Sequence, residues 1–248
     1  MNSRYIKIVA IITMTIDHIA HWGLISDPVM YDVFRSIGRI AMPLFCMLVA
    51  YGVIKSRNPW KFALRLLVFA VAVQVFLNLY LYENLFVPGW YNVFFTLGLG
   101  VVAASLIKTS FNLIKKHNAD ISFGKVLLVA GTFVGMIFVV VLPFVMEVIY
   151  DVYFDYGVAG VLLVVMFYVA IQHSMKALKI AAPFIVVIWC YILPFTVWWP
   201  IQWFAILSVP FIWVFVDRKL RISVIEKYAF YVFYPLHIAV IFFIQTLV

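Results

Sequence analysis

Three short stretches of this chain hold ionisable side chains in apolar surroundings. The first is KIVAIITMTIDHIAH, with Thr13, Asp17, His18 and His21. At about 100° per residue, Thr13, Asp17 and His21 fall on one helical stripe and His18 lies beside it. One helix therefore presents a carboxylate and two imidazoles. A carboxylate beside a histidine can fix its tautomer and raise its basicity, as a general base requires. The same Asp17 could instead lock helices together through an Asp–His or Asp–Arg pair. The second stretch carries Arg35 and Arg39 one turn apart, with Arg39 inside GRIAMP (Gly38 to Pro43). So deep a guanidinium needs an anionic partner, for which Asp17 is the obvious candidate, or an anionic substrate. Arg35 could simply reach the surface toward Asp32. The third is FYVFYPLH (Phe230 to His237), where Tyr231, Tyr234 and His237 recur at i+3 and Pro235 would kink the helix. His237 alone would be a packing residue; beside a second buried histidine it becomes a candidate catalyst.

The elements that must position these groups are membrane helices. Hydrophobic residues make up 67% of the 248 and charged ones 11%, against about 45–50% and roughly 25% in soluble domains. A soluble core of this length could not hide so much apolar surface, and lipid accepts it. No polar stretch is long enough to fold separately, so residues 1–248 form a single transmembrane domain. Apolar runs at about 5–25, 33–54, 61–82, 91–108, 124–149, 157–172, 179–195, 198–216 and 226–247 predict an all-α bundle of about nine spans. Asp27 before Pro28 offers an N-cap and first-turn proline, and Asn92 a cap for the fourth span.

Sixteen of the 18 Lys and Arg residues lie in or beside alternate short loops; Arg35 and Arg39 are the other two. The intervening loops hold Asp27, Asp32, Glu83, Glu147, Asp151 and Asp155 and no basic residue. The positive-inside rule then puts the N-terminus in the cytoplasm and the C-terminus outside, in a multi-pass cell-membrane protein. The net charge of +8 belongs to this topology, not to nucleic-acid binding. Arg57, Lys61 and Arg65, around the second turn, could also meet the phosphates of an anionic cofactor. The acidic, aromatic EVIYDVYFDYG (Glu147 to Gly157) is either a solvated connector or a lip for a cationic acceptor. Cys46 and Cys190 lie in apolar runs without metal-binding spacing, and no metal site is expected. P-loop, GxSxG, HExxH and GxGxxG signatures are absent.

The chain resembles the TraX family, named for the conjugation protein that acetylates the N-terminus of F-type pilin. The resemblance rests on KIVAIITMTIDHI (Lys7 to Ile19), IGRIAMPLF (Ile37 to Phe45), LRLLVFA (Leu64 to Ala70), NVFFTL (Asn92 to Leu97), DYGVAG (Asp155 to Gly160) and FYVFYPLH. More loosely it is similar to larger transmembrane acyltransferases that modify sugars. The resemblance implies transfer of an acetyl group from acetyl-CoA to an extracytoplasmic acceptor, a pilin-like peptide or a glycan or cell-wall hydroxyl. It implies site roles for Asp17, His18, Arg39, Asn92, Asp155, Tyr156 and His237. Tyr234 belongs to the same motif as His237; His21, Arg35 and Glu147 lie outside the matching pieces. In the expected mechanism His18, oriented by Asp17, deprotonates the acceptor, and Arg39 or Asn92 stabilises the oxyanion. His237 is the alternative base, or protonates the leaving thiolate. Two other classes remain open: a proton-coupled transporter with these residues as a relay, and a non-enzymatic assembly partner.

Overall fold

The computed structural model describes residues 1–87, 89–116, 122–192, 200–217 and 224–247. Pro88, most of the FTVWWP tract and Arg218, Lys219 and Arg221 lie outside them. The helices are α1 (Ser3–His21), α2 (Pro28–Gly38), α3 (Ala41–Lys55), α4 (Pro59–Tyr82), α5 (Val93–Lys116), α6 (Phe123–Tyr150), α7 (Gly157–His173) and α8 (Met175–Ile192). A 3-10 segment, Pro200–Ser208, then runs into α9 (Val209–Trp213), and α10 (Val224–Gln245) ends the chain. Six helical stretches among the described residues are long and apolar enough to cross a membrane. α1, α7 and the 200–213 segment are shorter or more polar and complete the bundle, so the expected nine is an approximate count.

Helix starts follow local chemistry. Asp27 Oδ1 accepts from the Met30 N–H at 2.8 Å, ahead of Pro28 at the first helical position. Asn58 does the same for Lys61 ahead of Pro59, and Asn92 Oδ1 accepts from Phe94 N–H at 3.1 Å. The second run, expected as one helix, is two. Pro43 has no N–H to give the carbonyl of Arg39 and its ring crowds that carbonyl. The chain tightens there, with Arg39 N–H bonded to Ser36 O and Ile40 N–H to Ile37 O. Arg39 thus sits at a helix break inside the bundle.

The centre is built by α3, α5 and α7. Leu44, Met47, Ala50 and Val53 meet Val101, Ala104, Leu163, Val164 and Phe167, all fully buried. A Cβ on Gly100 would stand 2.7 Å from Val164 Cβ, so these backbones approach as closely as lipid-embedded helices can. α6 is peripheral and presents Leu127, Val134, Ile137, Phe138 and Phe144 outward.

At the basic face, Lys108 Nζ donates to the carbonyls of Val53, Ile54 and Ser56 and so satisfies the end of α3. Lys55 Nζ meets Asp217 at 2.6 Å, and Tyr51 also donates to Asp217. At the opposite face, β1 (Trp90–Tyr91) pairs in parallel with β2 (Tyr153–Phe154). That bridge ties the α4–α5 connection to the α6–α7 connection and presents Asp155 to the interior.

Candidate functional site

A cavity of about 1230 Å³ runs along the bundle between α1, α3, α4, α5 and α10. Its lining follows α1 from Ser3 and Lys7, past Asp17 and His18, to Trp22. At about 1.5 Å per residue that is roughly 28 Å, close to the ~30 Å hydrocarbon thickness of a bilayer. Along α4 it extends from Phe62 and Arg65 to Tyr82. One mouth carries Lys7, Lys55 and Arg65; the other carries Glu147, Asp155, Trp90, Tyr153 and Tyr156. The cavity therefore joins the basic face to the acidic, aromatic face.

In its acidic half stands an ion triad. Asp17 Oδ2 accepts from Arg35 Nη1 at 2.6 Å, and Asp17 Oδ1 from Arg39 Nη2 at 2.5 Å. All three residues are buried. Asp17 is the partner expected for Arg39. Arg35, for which the surface near Asp32 was the alternative, is turned inward onto the same carboxylate. The expectation that Asp17 orients His18 is not met: the carboxylate pairs with the two arginines, and Nδ1 of His18 faces His237 instead. Gly38 permits the arrangement: a Cβ there would stand 2.2 Å from both Cβ and Oδ1 of Asp17.

His18 is oriented by His237. Its Nδ1 lies 2.7 Å from His237 Nε2, and His237 Nδ1 lies 2.9 Å from the Phe233 carbonyl. His18 lines the cavity and His237 stands behind it. Tyr234, on the cavity wall, meets His18 edge-on at 6.1 Å and Phe94 at 4.8 Å. His21, an exposed residue at the end of α1, lines the acidic half.

Gln202, passed over in the sequence, completes the arginine shell. Its Oε1 accepts from Arg39 Nη1 at 3.4 Å, and Arg39 Nε donates to the Arg35 carbonyl. A single buried amide inside the eighth apolar run was the available signal. Gln74 and Asn78, one turn apart on α4, were likewise legible. Gln74 Nε2 donates to the Trp90 carbonyl while its Oε1 accepts from Asn92 N–H and Asn92 Nδ2. Asn92 Nδ2 also donates to the Ala70 carbonyl. Asn92 lines the cavity with its amide engaged as a helix cap and cross-brace.

Asp155 lies at the acidic mouth, its N–H on the Tyr91 carbonyl at 3.0 Å and its own carbonyl accepting from Thr96. Burial raises its carboxyl to about 7, against the opposing pull of Arg39. Tyr156, in the left-handed region at φ 60°, starts α7 and tilts over Trp189 at 5.9 Å. Of the basic residues expected at a cofactor, Arg65 lines the cavity and lies over Phe62. Arg57 and Lys61 are exposed outside the lining, where Lys7 and Lys55 are found instead.

A family model described as "TraX protein" matches residues 2–245. The chain belongs to the TraX family. It is also similar to a "Probable fimbrial assembly protein FimC, serogroup H1" from Dichelobacter nodosus. The two are 27% identical over an alignment covering 95% of this chain and 92% of that protein. No solved structure matches. Membership fits the multi-pass architecture, and the matching motifs Lys7 to Ile19, Ile37 to Phe45 and Phe230 to His237 are those that meet around Asp17 and His18.

Proposed function

We propose that this TraX-family protein is a membrane acyltransferase that moves an acetyl group from cytoplasmic acetyl-CoA to an acceptor outside the cell membrane. The observation that carries the reading is the cavity itself, which connects a basic mouth to an acidic one with His18 in its wall. Under the positive-inside rule the basic mouth is cytoplasmic. Lys7, Lys55 and Arg65 there suit the phosphates of coenzyme A, and the apolar passage suits its extended thioester arm. The acidic, aromatic mouth suits an acceptor bearing a peptide amine or a glycan or cell-wall hydroxyl. A peptide amine agrees with the fimbrial-assembly name of the relative.

Transfer is direct. Cys46 and Cys190 are buried against the carbonyls of Gly160 and Gln202, and neither lines the cavity. The acceptor's nitrogen or oxygen attacks the thioester carbon, and a histidine of the buried pair takes its proton. The carbonyl electrons move to oxygen near the Arg35–Arg39 face and return as the C–S bond breaks. The proton then passes to the departing thiolate.

Membranes holding the wild type or His18→Ala, given acetyl-labelled acetyl-CoA, test the reading. Label that depends on His18 is expected in a peptide, polymer or glycan fraction. Equal labelling by folded His18→Ala protein, or none with every native acceptor present, overturns it.

A further inference from the structure

The two histidines do not have equivalent roles. Their rings are nearly coplanar, 7° apart with centroids 4.9 Å from one another, while Nδ1 of His18 and Nε2 of His237 are 2.7 Å apart. That combination is an in-plane hydrogen bond with the nitrogens pointing at each other, not a face-to-face stack. Nδ1 of His237 faces the carbonyl of Phe233, which only accepts. It must therefore carry the proton. His237 Nε2 is then a lone pair, and His18 Nδ1 must carry the proton between the rings. By elimination, Nε2 of a neutral His18 is left with a lone pair, on the residue that lines the cavity.

We infer that His18 Nε2 is the base that meets the acceptor, and that His237, anchored on the Phe233 carbonyl, is the positioning residue that selects this tautomer. The inference rests on the acyltransferase reading for what the base does, but not for the tautomers themselves. His237 thus fills the place a carboxylate holds in a nucleophile–histidine–carboxylate triad. When Nε2 of His18 takes the acceptor proton, its Nδ1 proton can shift to His237 Nε2, which spreads the positive charge over two rings. The Phe233 carbonyl accepts from the resulting imidazolium. After the C–S bond breaks, the shift reverses and His18 Nε2 returns the proton to the thiolate. No proton is lost to lipid. Among the described residues, the other charged or titratable groups facing the pair are His21 on α1, Arg35 in α2, Arg39 just after it, and Tyr234 on α10. Asp17 is turned to both arginines, and the partner that Nδ1 of His18 meets is His237, which therefore holds the orienting role.

Nitrogen NMR of the detergent-solubilised full chain with labelled histidine tests this without reference to activity. Wild type is expected to show Nδ1–H and a bare Nε2 on both histidines. In His237→Phe the His18 signal is expected to move to the Nε2–H form. Nε2–H on His18 in the wild type, or an unchanged His18 in His237→Phe, overturns the assignment.

His237→Gln separates positioning from structure, since its carbonyl oxygen can still accept from His18 Nδ1. Its acetyl transfer is expected within about tenfold of wild type, while His237→Phe loses about a hundredfold or more in kcat with KM little changed. A His237→Gln variant that keeps the His18 tautomer yet is as slow as His237→Phe overturns the positioning role. If wild type has the expected tautomers but transfers no acetyl, the acyltransferase reading fails and the tautomer assignment stands.

Discussion

Gly38 and Asp17 are packed so closely that a methyl group on Gly38 would stand 2.2 Å from the Asp17 carboxylate oxygen. No Cβ tolerates that distance, so α1 and α2 can meet here only through glycine. Gly38→Ala should push the helices apart and open the triad. The expected cost is about 1–3 kcal/mol of stability from overpacking, with acetyl transfer lost in the protein that still folds. Thermal unfolding in detergent alongside the transfer assay measures both; a wild-type melting temperature would show that the helices close without glycine.

Asp17 answers two buried guanidinium groups, from Arg35 and Arg39. Asp17→Ala should therefore destabilise the bundle by about 3–5 kcal/mol, the cost of leaving buried charge uncompensated. Adding Arg35→Met and Arg39→Met to the same chain should recover much of that stability without recovering transfer. Melting curves of the single and triple variants decide the point. Equal melting of Asp17→Ala and wild type would mean that the arginines find another anion.

At the basic mouth, Lys55→Gln and Arg65→Gln should each raise KM for acetyl-CoA about tenfold, roughly 1.4 kcal/mol of binding, and leave kcat nearly unchanged. Arg57→Gln and Lys61→Gln should change neither, because both side chains lie outside the cavity. A change in kcat rather than KM would move the donor phosphates elsewhere.

Asp155 gives a prediction in pH. Its carboxyl is raised to about 7, chiefly by burial, from an ordinary value near ~3.9. A carboxyl that holds its proton more tightly in the folded state favours folding at low pH. That stability is fully present below about 4 and is lost as pH rises through about 7. Asp155→Asn, which cannot ionise, should therefore gain stability relative to wild type between those values. If the acceptor is an ammonium held by the carboxylate, wild-type transfer should also rise through pH 7 and the rise should vanish in Asp155→Asn. Parallel pH–stability curves for the two proteins would show that Asp155 ionises normally.

Much of the architecture follows from short-range patterns. Apolar runs of span length, Asp27 before Pro28 and Asn92 before the fourth span depend on residues within a few positions of each other. Asp27 and Asn92 cap the helices expected of them, and most of the runs are single α-helices, the second being split and the eighth largely 3-10. The break at Arg39 was equally local in cause, since Pro43 stands four residues on, yet the run's length, that of a single span, concealed it. The polar residues of the first, second and last spans were recognisable because charge and imidazole are costly in lipid.

What these residues bind was settled only by tertiary structure. Asp17 had a histidine next to it in the chain and two arginines a loop away, and periodicity alone could not rank them. Gly38 decided the matter by letting α2 close on α1, which gave the carboxylate to the arginines. His18 was left for His237, 219 positions further along the chain. Lys7 and Lys55 rather than Lys61 line the basic mouth for the same reason. Sequence period sets the face of a helix a side chain occupies, whereas packing between distant helices sets what that face meets.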